Sequence, residues 1–510
     1  MRWGKRLVSS VAALAAITAA SGTPAASETQ HQAVRVESGW LRGSETPDYH
    51  LFQGIPYAAA PVGELRWRSP QPPVPWTGTR DATKPGARCA QLTPPQGNQE
   101  PSAEDCLFLN VTAPRHPGKY KPVVVWVHGG GFLNEAGSDY DARRMAVSGD
   151  VVVVTVNYRL GIFGLFTYPG LTGSGGFALE DQQAALRWVR RNISRFGGDP
   201  GNVTLAGESA GGKSACGHLA SPSAAGLFHR VILMSAPCTG TVPAGAMFPG
   251  LDPFRQWMPT AQRQSDGVKV AKDLGCTDIV CLRGLTKEEL LVKHNEFMSP
   301  TYGNAVLPQD PDAAIAAGRV HKVPVISGIT KDEMTYAAMI FYDLNDNKRI
   351  TREQYDVLLH TAFGDDSTRV AQQYPVDHYV SPSQAWVAVT TDVLFACPTA
   401  QRNKDLGAWS YEFAEPSPPM PGLSFPPGAP HASDLPYLFP EYGKPYNSLS
   451  DRMIRYWTTF ARTGKPAGHD VWPRYPATIS LTSTPGSPAR VDLAATHNCG
   501  LWATIPQVRR

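Results

Sequence analysis

The sequence predicts an α/β fold, with one large, mostly parallel central sheet and helices on both of its faces. Three observations carry this expectation. The continuous β-branched runs Pro122 to Val127 and Val151 to Val156 suit strands covered on both sides. A helical pattern over Leu179 to Phe196 places Leu186, Val189 and Ile193 at helical spacing. Further strand candidates at Asn202 to Ala206, Val231 to Met234, Val323 to Ile329 and Trp409 to Phe413 alternate with helical segments, as parallel strands require.

Length and composition agree with a single large domain. Large α/β enzymes often place about 500 residues in one domain, and this chain has 510. The hydrophobic fraction of 42% is ordinary for a globular protein, and 47 Gly with 46 Pro stays below the level of a disordered chain. Two Pro/Gly-rich stretches, Thr239 to Pro259 and Glu415 to Pro430, read as long loops, which in a compact domain are usually functional or mobile. No stretch joins clustered Lys and Arg with aromatics, so nucleic acid is not an expected partner.

Residues 1–27 read as a secretory leader: a basic start, an apolar run from Leu7 to Ala20, then small residues up to Ser27. Arg2, Lys5 and Arg6 are the charges of this segment, so without it the formal net charge falls from +3 to zero. The apolar run is short for a membrane span, and no later stretch reaches the length of one. The expected product is therefore a secreted domain over residues 28–510 with no stable membrane insertion. Eight cysteines fit an oxidising compartment, although sequence alone does not settle their pairing. The absence of any Cys-x-x-Cys or His-Glu-x-x-His argues against a zinc site.

The chemistry concentrates between the strand ending at Ala206 and a helix over Ala210 to Leu219. Gly207-Glu208-Ser209-Ala210-Gly211 matches the Gly-x-Ser-x-Gly turn that lifts a serine hydroxyl clear of a sheet. Its glycines have a steric purpose, because flanking Cβ atoms would clash in so sharp a turn. The same residues, extended through Gly212, Lys213 and Ser214, also match a phosphate-binding loop. Such a loop needs an acidic residue ending another strand to organise magnesium. Here Val123 to Val127 ends in His128 and Val151 to Val156 in Asn157, which disfavours nucleotide hydrolysis. His128-Gly129-Gly130-Gly131-Phe132 instead supplies glycine N–H groups suited to an oxyanion.

With these motifs the chain resembles the type-B carboxylesterases, an α/β-hydrolase family that includes acetylcholinesterase and bacterial para-nitrobenzyl esterases. The resemblance rests on Glu104 to Asn110, His128 to Phe132, Asn157 to Gly161, Phe196 to Pro200, Gly207 to Gly212, Gly328 to Glu333 and Trp457 to Gly464, in family order. It implies the α/β-hydrolase fold, with Ser209 as nucleophile, His431 as base and Glu333 as the acid that orients it. Asp332 is the competing carboxylate. The implied oxyanion donors are the N–H groups of Gly130, Gly131 and Ala210. Glu208, Ser235 and Asp434 resemble a buried network beside the triad, and Arg159–Asp181 and Arg66–Glu104 resemble structural ion pairs.

The resemblance further implies disulfides Cys89–Cys106, Cys276–Cys281 and Cys397–Cys499. Cys216 and Cys238 remain, and a fourth bridge between them is expected. In cholinesterases the first of these loops carries a tryptophan that receives choline, whereas residues 90–105 here contain no aromatic side chain. Choline specificity is therefore not expected. The reading is a secreted serine carboxylesterase for small-molecule esters, needing no metal or cofactor. A catalytically weak binding or adhesion protein is the alternative.

Overall fold

The computed structural model describes residues 30–92, 102–115, 118, 120–344, 349–444, 446–467 and 472–508. The leader expected over residues 1–27 lies outside them. Twelve strands form the path of the main sheet: β1 (Gln30–Val36), β2 (Gly39–Glu45), β3 (Tyr49–Pro56), β4 (Phe108–Pro114), β5 (Lys121–Val127), β6 (Val152–Val156), β7 (Gly198–Glu208), β8 (Arg230–Met234), β9 (Val325–Thr330), β10 (Trp409–Phe413), β11 (Thr478–Leu481) and β12 (Ala489–Val491). Their spatial order is β1-β2-β3-β4-β6-β5-β7-β8-β9-β10-β11-β12, and a short strand, Thr79–Asp81, pairs with β2.

The sheet is mixed. Neighbours from β6 through β11 pair in parallel. β1 to β4 and β12 are antiparallel margins. The turns explain the N-terminal margin: β1 and β2 are joined through Glu37-Ser38, and β2 and β3 through Thr46 to Asp48, where Thr46 Oγ1 accepts the Tyr49 N–H at 3.2 Å. Connections this short join only antiparallel strands.

The β-branched runs behave as strands between two layers. Val123, Val125 and Val127 enter one core, while Val124 and Trp126 enter the other. β8 divides likewise, with Val231 and Leu233 on one face and Ile232 and Met234 on the opposite one. The first core is covered by α1 (Phe177–Asn192), continued by a 3-10 turn that Gly197 ends with φ 82°, and by α2 (Ala210–Ala220). α3 (Ser448–Thr463) covers the second face with Met453, Ile454, Trp457 and Phe460. The Thr239 to Pro259 stretch is not wholly irregular: Thr241–Val242 pairs with Phe254–Arg255, and Met258–Pro259 with Thr301–Tyr302. No described helix is long and apolar enough to cross a membrane.

The cysteines pair as Cys89–Cys106, Cys216–Cys238, Cys276–Cys281 and Cys397–Cys499. Cys216–Cys238 ties α2 to the chain leaving β8. Arg159 and Asp181 form a buried pair, with Nε and Nη2 each 2.7 Å from the carboxylate. Arg66 pairs with Glu104 and also donates to Leu285 O at 2.7 Å.

Two outcomes follow. Thiol titration of unfolded, unreduced protein should find no free thiol, and reduction should release all eight. Asp181→Ala, which strands a buried guanidinium, should lower unfolding free energy by about 3–5 kcal/mol in chemical denaturation.

Candidate active site

β7 ends at Glu208 and α2 begins at Ala210, leaving Ser209 alone at the turn with φ 52° and ψ −118°. A non-glycine residue in such a conformation costs on the order of 1–3 kcal/mol and persists only where its surroundings dictate it. Here the Ser209 N–H donates to Met234 O at 3.0 Å, and Ser209 O accepts from Lys213 N at 2.8 Å. The glycines allow the close approach. A Cβ on Gly207 would lie 2.5 Å from the Gly211 carbonyl carbon, and one on Gly211 would run into Val127 O at the end of β5.

That contact sets Gly129 and the glycines after it against the serine. A Cβ on Gly129 would lie 2.6 Å from Glu208 Oε2 and 3.3 Å from Ser209 Cβ. Gly130 and Gly131 follow with φ 75° and 62°, and the Cα of Gly131 faces open space. Ala210 is the first residue of α2, so its N–H has no acceptor within the helix.

Glu333 follows β9 and is fully buried. Its Oε1 accepts from Thr330 N at 2.9 Å, and its Oε2 lies 2.5 Å from His431 Nδ1. Asp332 is committed elsewhere, accepting from Ala429 N at 2.9 Å. Geometry thus separates two adjacent carboxylates that chemistry alone does not. The His431 ring sits 5.4 Å from Phe395 and 6.3 Å from Tyr336.

His431 Nε2 lies 3.0 Å from Glu208 Oε1, too poorly aligned for a hydrogen bond, and no hydrogen bond joins it to Ser209 Oγ. Such bonds are commonly long in unliganded sites and tighten with substrate. Burial pushes His431 down, yet Glu208 and Glu333 overcome it and raise the imidazole to about 10. Burial also raises Glu208 well above the carboxylate range. Asp434, raised to about 7 by burial and by Glu333, accepts from Tyr411 OH at 3.3 Å. No direct hydrogen bond connects Glu208, Ser235 and Asp434; Ser235 Oγ and Asp434 Oδ1 are buried without a protein partner.

Lys213, which completed the phosphate-loop pattern, lies buried instead. Its Nζ donates to Gln256 Oε1 (3.1 Å) and Ser299 Oγ (2.8 Å), and sits 5.2 Å from the Trp257 ring centre. Burial lowers it to about 7. Sequence reasoning singled out neither Glu135, whose Oε2 accepts from Tyr140 OH at 2.5 Å, nor Gln91, which holds the Glu135 backbone. The contact between them spans 44 residues of sequence. The signal available was only that Gln91 falls two residues after a paired cysteine.

The model of the carboxylesterase family matches residues 30–497. The para-nitrobenzyl esterase of Bacillus subtilis (strain 168) is 35% identical over 477 residues, which cover 87% of this chain and 93% of the relative. Acylcarnitine hydrolase of Mus musculus is 32% identical, with 83% of this chain and 81% of the relative covered. Among solved structures, a thermophilic PNB esterase superposes with a TM-score of 0.78 at 31% identity, covering 92% of this chain and all of that one.

Two expectations come from these environments. The Lys213 amine binds its proton less tightly folded than unfolded, so between about pH 7 and 10.5 the unfolded chain holds more protons and stability rises with pH. Lys213→Met should therefore raise the melting temperature most at or below pH 7, with the gain shrinking toward pH 10. Gly211→Ala should destabilise by about 3 kcal/mol in denaturant melts, because the added Cβ meets backbone that does not give way.

Proposed function

We propose that this chain, which belongs to the carboxylesterase family and is a carboxylic ester hydrolase, works as a secreted serine esterase through a Ser209–His431–Glu333 triad. The observation that carries the triad is the contact of Glu333 Oε2 with His431 Nδ1 beside the strained turn that holds Ser209. It supports a tautomer with the proton on Nδ1 and the Nε2 lone pair free to act as base. The leader pattern of residues 1–27, preceding a domain over 28–510, and four disulfides support secretion.

His431 Nε2 takes the Ser209 Oγ proton as that oxygen attacks the ester carbonyl. The resulting oxyanion meets the N–H groups of Gly130, Gly131 and Ala210, each worth roughly 10²–10³ in rate. Collapse breaks the C–O bond to the leaving group, and the alkoxide takes the proton from His431. Water then attacks the acyl-enzyme, giving its proton to Nε2, and carboxylic acid is released with Ser209 restored. The substrates are small-molecule carboxylic esters of short to medium acyl length. No residue of this scheme calls for a metal or cofactor.

Hydrolysis of para-nitrophenyl esters from acetyl to palmitoyl tests this reading. Ser209→Ala should lose turnover by about 10⁴-fold or more, and an organophosphate should label wild type but not the variant. Wild type that folds, turns over no ester and takes no label would overturn it. The pH profile gives a second check. Neighbouring carboxylates favour the imidazolium, so the acid limb of kcat/KM should inflect above the ordinary histidine value of about 6.5. Glu208→Gln removes one of those charges and should move the limb down by on the order of one pH unit.

A further inference from the structure

The segment bearing Gly130 and Gly131 has a backbone that its own sequence does not favour. Gly130, Gly131, Phe132 and Glu135 all have positive φ, at 75°, 62°, 62° and 77°. Phe132 and Glu135 carry side chains, so their conformations persist only where neighbours impose them. Both ends of the segment are imposed. Tyr158 OH donates to His128 O at 2.8 Å before it. After it, Asp139 Oδ2 accepts from Ala136 N at 2.9 Å and Asn157 Oδ1 from Gly137 N at 2.8 Å.

At the strained Glu135 the hold comes from Gln91, which is 3% exposed. Its Oε1 accepts from Glu135 N at 3.1 Å, and its Nε2 donates to Glu135 O at 3.1 Å. One side-chain amide thus engages both backbone groups of one residue, as a neighbouring strand would. Nε2 also donates to Cys89 O at 2.9 Å, so a flipped amide would set oxygen against two carbonyls. Cys89 is anchored by its bridge to Cys106, and the preceding Arg88 pairs with both oxygens of Asp139. The residues around this half-cystine therefore grip the oxyanion segment at two points.

We propose that Gln91 is a positioning residue for ester hydrolysis, holding the Glu135 backbone so that the Gly130 and Gly131 N–H groups stay aimed at the developing oxyanion. This rests on the triad and oxyanion reading above. Gln91 touches neither substrate nor reacting atoms; its effect passes through the segment it holds. A donor displaced by about 1 Å costs up to about a hundredfold in rate. Substrate binding before oxyanion formation depends on it little.

Gln91→Met, close in shape but without donor or acceptor, and Gln91→Glu, which keeps the acceptor for Glu135 N–H, are compared with wild type. The readouts are para-nitrophenyl butyrate kinetics and inhibition by a trifluoromethyl ketone, whose adduct with Ser209 carries an oxyanion. Gln91→Met should lower kcat by about 10- to 100-fold, leave KM within about twofold, and weaken the inhibitor by the same factor as kcat/KM. Gln91→Glu, which sets an oxygen against the Glu135 and Cys89 carbonyls, should fall at least as far. The proposal is overturned if a folded variant keeps kcat and inhibitor affinity within about twofold of wild type, if KM alone changes, or if kcat falls while inhibitor affinity holds. Should Gln91→Met not fold, the Gln91→Glu comparison decides alone. Inactive wild type would remove both this proposal and the triad reading, whereas active wild type with unaltered variants would remove only this one.

Discussion

The close approach of Gly211 to the end of β5 is the constraint on which the site depends. β5, β7 and β8 are adjacent and parallel, so their carboxyl ends emerge at one edge of the sheet. The chain leaving β7 turns into α2 within a single residue, and α2 passes over Val127 O where only hydrogen fits. That passage puts Ser209 beside Gly129 and its N–H beside Met234 O, with positive φ as the consequence. A wider turn would separate the hydroxyl from the glycine N–H groups. Ligand sites at the carboxyl ends of parallel strands are general in such sheets, because there the loops diverge and leave a crevice.

Around that turn the electrostatics depend on burial. Glu208, Glu333 and Asp434 surround His431, and all three carboxyl groups are removed from solvent. Without water to stabilise separate charges, each proton acquired by one group changes its neighbours. Glu208 and Asp434 rise with burial, while His431 rises because adjacent carboxylates outweigh its own desolvation. Lys213, on α2, is the counter-example. Neutral acceptors and an indole face it, no carboxylate is its hydrogen-bond partner, and burial lowers it to about 7. His431 and Lys213, both cations when protonated, shift in opposite directions because of what each side chain faces.

Much of the architecture was legible because it is written in local patterns. The valine runs became strands covered on both faces, and the helix expected over Leu179 to Phe196 begins two residues earlier and ends in a 3-10 turn at Gly197. The antiparallel N-terminal margin was not anticipated, although its turn residues were present. Those strands mix polar with apolar residues and lack the continuous β-branched runs of β5 and β6, so their sequence signal is weak. The strand expected from Val323 starts at Val325, since Pro324 has no N–H to give a ladder.

Local sequence patterns were enough for the fold class, the sharp turn at Ser209, the glycine-rich segment after β5 and the short candidate set for acid and base. These are patterns of adjacent residues whose backbone demands are intrinsic. Tertiary structure decided which carboxylate meets His431: Glu333 reaches its Nδ1, while the adjacent Asp332 is taken by Ala429 N. It decided that Lys213 is buried among neutral groups rather than presented to a phosphate, and that Gln91 braces a segment 44 residues away. Such outcomes depend on which distant groups share a buried volume, because there an unpaired polar atom is costly and partners are chosen by proximity in space.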